Sequence, residues 1–430
     1  MTVQSIGKLT NPASPKHQMN NRIVTTLQIG LISFFMFADQ NLMGPNLTLI
    51  AEDFGLAAVK DQYLGGLIPL VFWLFGGTVT LFIGYCTDLM SRKNLFALII
   101  FIGEIPCLLS GFADTYTQFF IMRVLTGIGI GGIIPLTYSL LGDYYAPNER
   151  IRVVTLIGLA SGVGIAVGQF TAGMLGDSFG WRLPFILFAV PNFILGTVFF
   201  FTFREPQRGQ MDHNVQRFRI SDFKDFISLF KIKTNLLVFL QGIFGTIPWG
   251  VFSVFMIDYF VVDKGYYKTT ATLVITLIGG MALLSSLIGG FVGNKLYKKN
   301  PKYLPLFCGV STILGVIPTF FLINASMGTG QNEMIIIYAA FTGLLIAMTA
   351  PNMKAILMNV NSPYCRGTVF SLYNFADDLG RGFGPFIIGN ILIYHFGRNI
   401  AFNIANAFWF ICGCLILMMI RTFPKEDGRG

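Results

Sequence analysis

The sequence predicts an all-α membrane protein whose twelve transmembrane helices form two six-helix bundles. Of its 430 residues, 53% are hydrophobic and only 12% are charged, which is about half the charged share of a soluble domain. Apolar runs of about 20 residues recur along the chain, and each is long enough to cross the hydrocarbon as a helix. Motifs of the first half also recur in the second half. These observations exclude a disordered chain and an ordinary soluble enzyme.

The spans follow from the apolar runs and from the polar or proline-containing turns that separate them. The first span follows a polar segment without the apolar stretch of a cleaved signal, so we expect it to remain as an anchor. Basic residues separate spans 2 and 3, and Pro147 separates spans 4 and 5. Pro248 and Pro351 lie within spans 7 and 10. The predicted spans are 23–50, 62–85, 94–112, 117–141, 151–174, 182–203, 236–260, 270–293, 303–323, 334–359, 367–394 and 399–420.

Lysine and arginine set the predicted orientation. With the N-terminus placed inside, the inner segments hold 22 of these residues and the outer segments hold 5. Positive residues stay on the cytoplasmic side of a membrane, so we expect both termini in the cytoplasm and the protein in the plasma (inner) membrane. The net charge of +9 follows from the same rule, and no nucleic-acid partner is expected.

One long polar stretch divides the chain. We expect a cytoplasmic tail at 1–22, a first bundle at 23–203, a cytoplasmic linker at 204–234, a second bundle at 235–421 and a tail at 422–430. Within the linker, residues 221–233 carry apolar side chains at helical spacing. Two interpretations stand: an amphipathic helix on the inner membrane surface, or a helix that packs on the bundle.

The two predicted bundles repeat each other weakly. The segment 84–93 after span 2 matches 290–299 after span 8 at an offset of 206 residues. At an offset of 216, four positions of the first half match four of the second: Gly127, Pro135, Pro147 and Arg150 match Gly343, Pro351, Pro363 and Arg366. Repeated halves of this kind are typical of transporters whose site lies between the halves, near the membrane midplane.

Several of these segments resemble motifs of the major facilitator superfamily. Residues 84–93 resemble its G-x-x-x-D-x-x-x-R-K loop between spans 2 and 3, and residues 123–131 resemble its span 4 motif. Residues 147–150 and 180–185 resemble the end of span 4 and the entry to span 6. The resemblance covers about residues 22–421. It implies two bundles that rock about a central cavity by alternating access, and we expect a monomer.

The resemblance also implies a conformational latch in the loop after span 2. Its residues are Gly84, Asp88, Arg92 and Lys93. In the family the aspartate pairs with the loop arginine and faces the N-terminus of a helix from the other half, here the start of span 11. A carboxylate at a helix N-terminus is favoured by about 0.3–1 kcal/mol, so such a contact is able to break in each cycle. The alternative is a solvated loop carboxylate at Asp88.

Within the superfamily, residues 37–41 and 50–55 resemble the opening of the Spinster-like branch. That branch is associated with lysophospholipids and sphingolipid phosphates, so a lipid substrate is expected. The chain differs from the branch at three places. Gln40 replaces an arginine after the span 1 aspartate, and Ile130 replaces a span 4 glutamate. Asp377 and Arg381 stand where span 11 usually has histidine and aspartate.

Charged side chains at membrane depth give the candidate site. A charge at a helix centre costs about 2.5–3.5 kcal/mol, so each needs a partner or a function. Asp39, in span 1, is expected to face the cavity as a proton or cation site, or to be capped by neighbouring helices. Glu104, in span 3, is a second candidate proton carrier. Arg123, in span 4, is expected to face the cavity or to pair with Glu104. The neighbouring polar residues Gln40 and Asn41 are candidate substrate ligands.

Span 11 has the densest set of charges. Arg381 is within helical reach of both Asp377 and Asp378, and glycines surround the three. We interpret them as a headgroup site or gate, with an internal ion pair as the alternative. Lys354 is expected to bind an anionic group or to reach the inner interface, and Trp249 to face the cavity or to pack.

The leading functional hypothesis is a proton-coupled secondary transporter of a small, amphiphilic organic solute, with a lysophospholipid as the first substrate candidate. A carboxylate or sugar transporter of the same superfamily is the alternative. An intramembrane lipid enzyme is disfavoured because Gly-x-Ser-x-Gly and His-Glu-x-x-His are absent from the sequence. A non-transporting sensor is disfavoured by the intact 84–93 loop. No cofactor is expected, and the cysteines and histidines show no metal-ligand spacing.

Overall fold

The computed structural model describes residues 15–145, 147–206, 229–325, 331–361 and 366–427. These residues form fourteen α-helices joined by short turns. In chain order the helices are α1 Pro15–Asp39, α2 Leu47–Asp53, α3 Ile68–Leu89, α4 Arg92–Ser110, α5 Tyr116–Tyr144, α6 Pro147–Phe179, α7 Leu183–Thr202, α8 Lys233–Val262, α9 Lys268–Lys299, α10 Tyr303–Asn324, α11 Gln331–Ile346, α12 Thr349–Val360, α13 Arg366–Ile387 and α14 Ile393–Glu426.

The helices are long enough and apolar enough for the predicted membrane spans. Eleven segments of the described residues have membrane-spanning length and hydropathy, and the last of them, Thr368–Glu426, has 59 residues. As one helix it would be about 90 Å long, three times the hydrocarbon thickness. It is interrupted at Gly397, where φ is 75°, so it holds two crossings. The all-helical fold is therefore consistent with the twelve predicted spans.

Two of the spans are interrupted helices. The first span consists of α1 and α2, which are separated by a turn after Asp39 and a 3-10 turn at Gly44–Asn46. Pro45 lies within that turn, and a proline has no amide hydrogen with which to continue the helical ladder. The tenth span is divided between α11 and α12 at residues 347–348. Residues 42–46 of the chain between α1 and α2 are buried, so the interruption lies inside the protein.

Within each half, the helices pack closely along their apolar faces. In the first half α3 and α4 pack on α5, and α1 packs on α6; in the second half α8 packs on α13 and α14, and α10 packs on α14. Gly164 and Gly168 of α6 lie directly against the backbone carbonyls of Phe34 and Ala38. A side chain at either glycine would occupy the position of α1, as expected for small residues at membrane helix contacts.

The largest contacts between the two halves in the described residues are three. Helix α3 packs on α13, α6 packs on α9, and the turn Gly44–Asn46 packs on α8. We call the end of the molecule that carries Asp61, Asp258 and Arg398 the ion-pair face. The opposite end, which carries Arg92 and the C-terminus of α9, is called the basic face. The predicted linker helix falls largely in residues 207–228, outside the described residues; Leu229–Lys231 form a 3-10 turn.

Candidate functional site

A cavity of about 330 Å³ lies between the two halves. This volume is within the range of about 300–1,000 Å³ that is usual for small-molecule sites. Of the residues proposed from the sequence, five line it: Gln40, Asn41, Trp249, Asp377 and Arg381. The other polar and aromatic lining residues include Trp73, Gln169, Gln241, Ser253, Thr276, Tyr373 and Trp409.

Arg381 supplies the positive charge of the cavity. Its guanidinium carbon lies 5.0 Å from the centre of the Trp73 ring, which belongs to the other half. A guanidinium over an aromatic face gains about 0.5–2 kcal/mol. Among the described residues the guanidinium has no hydrogen bond and no ion pair within 4 Å. Its donors are therefore available to an anionic group in the cavity.

Asp377 supplies a negative charge one helical turn before Arg381. Its carboxylate interacts electrostatically with Arg381, with Lys354 and with the Tyr373 hydroxyl. Its Oδ1 atom is buried and has no hydrogen-bond partner in the described part of the chain. A buried acceptor without a donor costs about 1–3 kcal/mol. A donor on a bound solute would remove that cost.

Two further predicted residues lie beside this pair but do not line the cavity. Asp378 packs against Gly77 of α3, so it lies at the contact between the two halves. Lys354 is an exposed residue of α12, yet it remains within electrostatic range of Asp377 and Arg381. Trp249 meets Trp409 edge to face, with ring centres 5.7 Å apart, and forms an apolar wall.

The expectation that Asp39 and Arg123 face this cavity is not met, because neither residue is among those that line it. The side chains of Asp39, Glu104 and Arg123 are 1%, 1% and 3% exposed and lie inside the first half. Asp39 interacts electrostatically with both Glu104 and Arg123.

The Arg123 guanidinium is held by neutral groups. It donates to Ser110 Oγ over 3.1 and 2.9 Å and to Thr126 Oγ1 over 3.1 Å. It also lies over the Phe185 ring, 4.8 Å from its centre. The predicted direct ion pair with Glu104 is not formed; Glu104 instead accepts a hydrogen bond of 2.6 Å from Asn192. Arg123 acts on the carboxylates through space.

The loop after α3 holds the predicted latch. The surroundings of Gly84 and the side chain of Asp88 lie outside what the structure describes, so the contact of Asp88 with the start of span 11 stays a prediction. Arg92 forms ion pairs with Asp143 and, at 3.1 Å, with Glu205. Glu205 also accepts hydrogen bonds from Ser91 Oγ at 2.7 Å and from the Arg92 amide at 3.0 Å.

Glu205 therefore occupies the N-terminus of α4, whose first two residues are Arg92 and Lys93. Partial burial by itself would raise the pKa of Glu205. The hydrogen bonds from Ser91 and from the backbone and side chain of Arg92 outweigh burial and lower that pKa. An anion is favoured at a helix N-terminus. The start of the linker is thus fixed to the basic face of the first half.

Sequence reasoning missed a cluster of charges that joins the halves at the ion-pair face. Arg398 binds Asp61 of the first half through two nitrogens, one of them at 3.1 Å. It also binds Asp258 at 2.8 Å and Asp263 at 2.9 Å, both in its own half. Lys60 of the first half pairs with Asp258 at 2.8 Å. These residues lie at span ends, where charge is common, and only the three-dimensional fold brings them together.

Further contacts across the halves close the same face. Lys268 at the start of α9 pairs with Asp177 of α6 at 2.6 Å and donates to Asn46 at 2.8 Å. Gly44 lies against the Ser253 carbonyl, too close to accommodate a side chain. Three ion pairs of the described residues thus join the halves at the ion-pair face.

Nothing in the described residues resembles a metal centre, because no three His, Cys, Asp or Glu side chains are grouped to hold an ion. Cys107, Cys308 and Cys412 are buried free thiols. The chemistry available at the cavity is therefore binding through charge, hydrogen bonds and aromatic contact.

Comparison with known proteins agrees with this arrangement. The sequence signature of the Major Facilitator Superfamily matches residues 29–385. The benzoate transport protein of Acinetobacter baylyi is 29% identical over 170 residues, which cover 38% of this chain and 36% of that protein. The sphingosine-1-phosphate transporter of Danio rerio is 25% identical over 346 residues, which cover 76% of this chain and 68% of that protein.

A solved structure has the same fold. It is described as a bacterial homologue of the human lysosomal transporter Spinster in an inward-facing, unoccupied conformation. Its TM-score to this chain is 0.81 at 18% identity, over 97% of this chain and 99% of that one. At this identity the likeness establishes the fold, and the family predicted from the loop and glycine motifs is confirmed. With the family signature covering most of its length, this chain belongs to the Major Facilitator Superfamily, a family of membrane transporters and not of enzymes.

Proposed function

We propose that the protein is a proton-coupled secondary transporter that moves a small amphiphilic solute with an anionic head by alternating access. The observation that carries the proposal is Arg381, a cation that faces a cavity between the two halves and has no ion-pair partner in the described part of the chain. Such a charge is costly within a membrane unless it is used. The proposal keeps the orientation expected from the basic residues, with both termini in the cytoplasm. It places the protein in the plasma (inner) membrane as a monomer.

The contacts between the halves support one stage of the transport cycle. The ion-pair face is closed by Arg398–Asp61, Lys60–Asp258 and Lys268–Asp177. In the proposed orientation this is the outer face, so we infer that the cavity opens toward the cytoplasm at this stage. Solute binding at the cavity would favour closure of the basic face. Release of the ion pairs would then expose the cavity on the other side.

A lysophospholipid is the leading substrate candidate. Its phosphate suits the free donors of Arg381, and a hydroxyl or ammonium on its head suits the free oxygen of Asp377. Its acyl chain suits the indole wall formed by Trp249 and Trp409. The similarity to a sphingosine-1-phosphate transporter also supports a lipid substrate. In this proposal Lys354 is the second cation that an anionic head meets as it leaves toward the cytoplasm.

An organic carboxylate is the second candidate. Arg381 lines the cavity and Lys354 lies within electrostatic range of it, so a compact anion would meet two cationic groups there. A cavity of about 330 Å³ suits a compact anion, and a benzoate transport protein is among the relatives. A sugar is less suited, because it has no charge to balance that of Arg381.

The test is solute-dependent proton movement in liposomes that contain the purified protein and an internal pH dye. Lysophosphatidic acid, benzoate and xylose are added separately, with protein-free liposomes as the leak control. We expect a pH change with lysophosphatidic acid. Arg381→Ala removes about 1.5–3 kcal/mol of charge-assisted binding, so the half-saturating concentration should rise by roughly tenfold or more. Arg421→Ala is the matched control, because Arg421 is exposed at the end of α14.

A signal with benzoate alone would replace the lipid by the carboxylate. A signal with xylose alone, or wild-type behaviour of Arg381→Ala with each solute, would overturn the site assignment.

A further inference from the structure

The first half contains a second polar site that the substrate cavity does not reach. Its centre is the pair of carboxyl groups of Asp39, from α1, and Glu104, from α4. Both Asp39 oxygens and the Glu104 Oε2 atom are buried without a hydrogen-bond partner among the described residues. The two carboxyl groups nevertheless face each other. Two ionised carboxylates have no hydrogen to share, so a bond between them requires a proton.

Charge balance also favours a single proton on the Asp39–Glu104 pair. The titratable or charged side chains that face the pair are Cys107 from α4 and Arg123 from α5. Two ionised carboxylates beside one guanidinium would leave a net buried negative charge, which costs several kcal/mol. One proton on the pair makes the cluster neutral. Asn192 of α7 fixes the second Glu104 oxygen by a hydrogen bond of 2.6 Å, and so aims the carboxyl at Asp39.

We propose that Asp39 and Glu104 share a single proton and that this carboxyl pair, outside the substrate cavity, is the coupling site of the transporter. On release the O–H bond of one carboxyl breaks, the proton passes to water, and two carboxylates remain; on loading the reverse occurs. The site takes a proton and not a metal ion, because Arg123 repels a cation and no three-ligand group is present in the described residues. The inference rests on the proposed proton-coupled transport.

The interrupted first span links this site to the solute. Helix α1 ends at Asp39, and the next two residues, Gln40 and Asn41, line the cavity. Gln40 Oε1 is also buried without a partner in the described residues. A change in the charge of Asp39 therefore acts on a helix end whose following two side chains contact the solute. The carbonyl end of a helix disfavours a carboxylate, so deprotonation of Asp39 strains the turn that positions them.

The primary test needs no substrate. Infrared difference spectra of the purified protein between alkaline and acidic buffer report the carbonyl stretch of a buried, protonated carboxyl group. We expect the wild type to show such a band for the pair. Asp39→Asn or Glu104→Gln leaves one carboxylate facing Arg123, which keeps it ionised. Each variant should therefore lose the whole band, not half of it, whereas Glu104→Asp should retain it. Asp114→Asn, at an exposed loop position, is the matched control.

Retention of the wild-type band by Asp39→Asn or by Glu104→Gln overturns the shared proton, and this result does not depend on any substrate. In liposomes, both variants should retain counterflow of labelled lysophosphatidic acid and lose its accumulation driven by a pH gradient. Gradient-driven accumulation at the wild-type rate in either variant, or accumulation driven by sodium in the wild type, overturns the coupling role. Absence of all transport by the wild type would instead contradict the proposed function, while the infrared result stands by itself.

Discussion

Arg398 offers the most direct test of the closed state. The Arg398→Gln substitution removes the bond that joins its guanidinium to Asp61 across the halves. Arg398 is 8% exposed and Asp61 is 18% exposed, so the pair is partly shielded from solvent. Without the arginine, Lys60 would be the cation that remains in the described ion pairs of Asp61, Asp258 and Asp263. The ion-pair face would then be opened by repulsion as well as by the lost bond.

The magnitude follows from the two hydrogen bonds to Asp61. Hydrogen bonds to charged groups contribute about 1.5–3 kcal/mol each, but the two act on one pair and solvent reaches part of it. About 2 kcal/mol is therefore a reasonable difference between the closed and open states. Since 1.4 kcal/mol is a factor of ten, the closed-to-open ratio should fall by about 30-fold.

The assay is a distance measurement between spin labels on the ion-pair face, at positions 114 and 267 of a cysteine-free background. One position belongs to each half, and both are exposed. Arg182→Gln is the matched control, because Arg182 pairs with Asp53 at 2.6 Å within the first half. We expect a longer distance population in Arg398→Gln and in Asp61→Asn, and little further change in the double variant. An unchanged distribution in Arg398→Gln, or an equal shift in Arg182→Gln, would refute the reasoning.

Three more predictions concern packing, the linker and the cavity. Gly131→Ala places a methyl group against the Gly76 carbonyl and should destabilise the protein by about 1–3 kcal/mol in a thermal unfolding assay. Gly158→Ala is the control, because a methyl group there meets no atom within 4 Å. Equal melting temperatures for the two variants would contradict this prediction. Glu205→Gln should lower the melting temperature at neutral pH, and this difference from the wild type should vanish as the pH falls. The reason is that a carboxyl group with a lowered pKa contributes stability only while it is ionised. A melting-temperature difference that does not change with pH would argue against the hydrogen-bonded anion. Trp73→Leu removes the ring under the cavity guanidinium and should weaken solute affinity about 2- to 30-fold in a flux assay, so unchanged half-saturation would contradict that contact.

The fold was predictable because membrane length and hydropathy leave few alternatives. The interruption after Asp39 was not, although Pro45 lies close by, because a proline six residues later marks the region and not the residue where a helix ends. That interruption decides which side chains face the cavity. Membrane depth identified Asp39, Glu104 and Arg123 as a buried set, but assigning them to the cavity needed a helix rotation that the sequence does not specify.

The central residues of span 11 were predictable for a different reason. Arg381 and Asp377 are charged in an otherwise apolar segment, and the free-energy cost of placing a charge inside a membrane is enough to identify them as candidate site residues. The cluster at the ion-pair face does not stand out, because Lys60, Asp61 and Arg398 lie near span ends, where solvent makes charge inexpensive. Arg398 and Asp61 are 337 residues apart, and no local pattern connects them.

Gly397 gives span 11 a mechanical property. Helix α13, the π-helical turn Ile388–Leu392 and the first residues of α14 form one helical rod from Arg381 to Gly397, about 24 Å long at 1.5 Å per residue. A tilt of about 10° at the solute end would displace the far end of such a rod by about 4 Å. That displacement exceeds the range over which a hydrogen bond survives. The residue after the glycine is Arg398, which forms the ion pair with Asp61. A small tilt of the rod beside the solute would therefore be amplified at the ion pairs that join the halves at the ion-pair face.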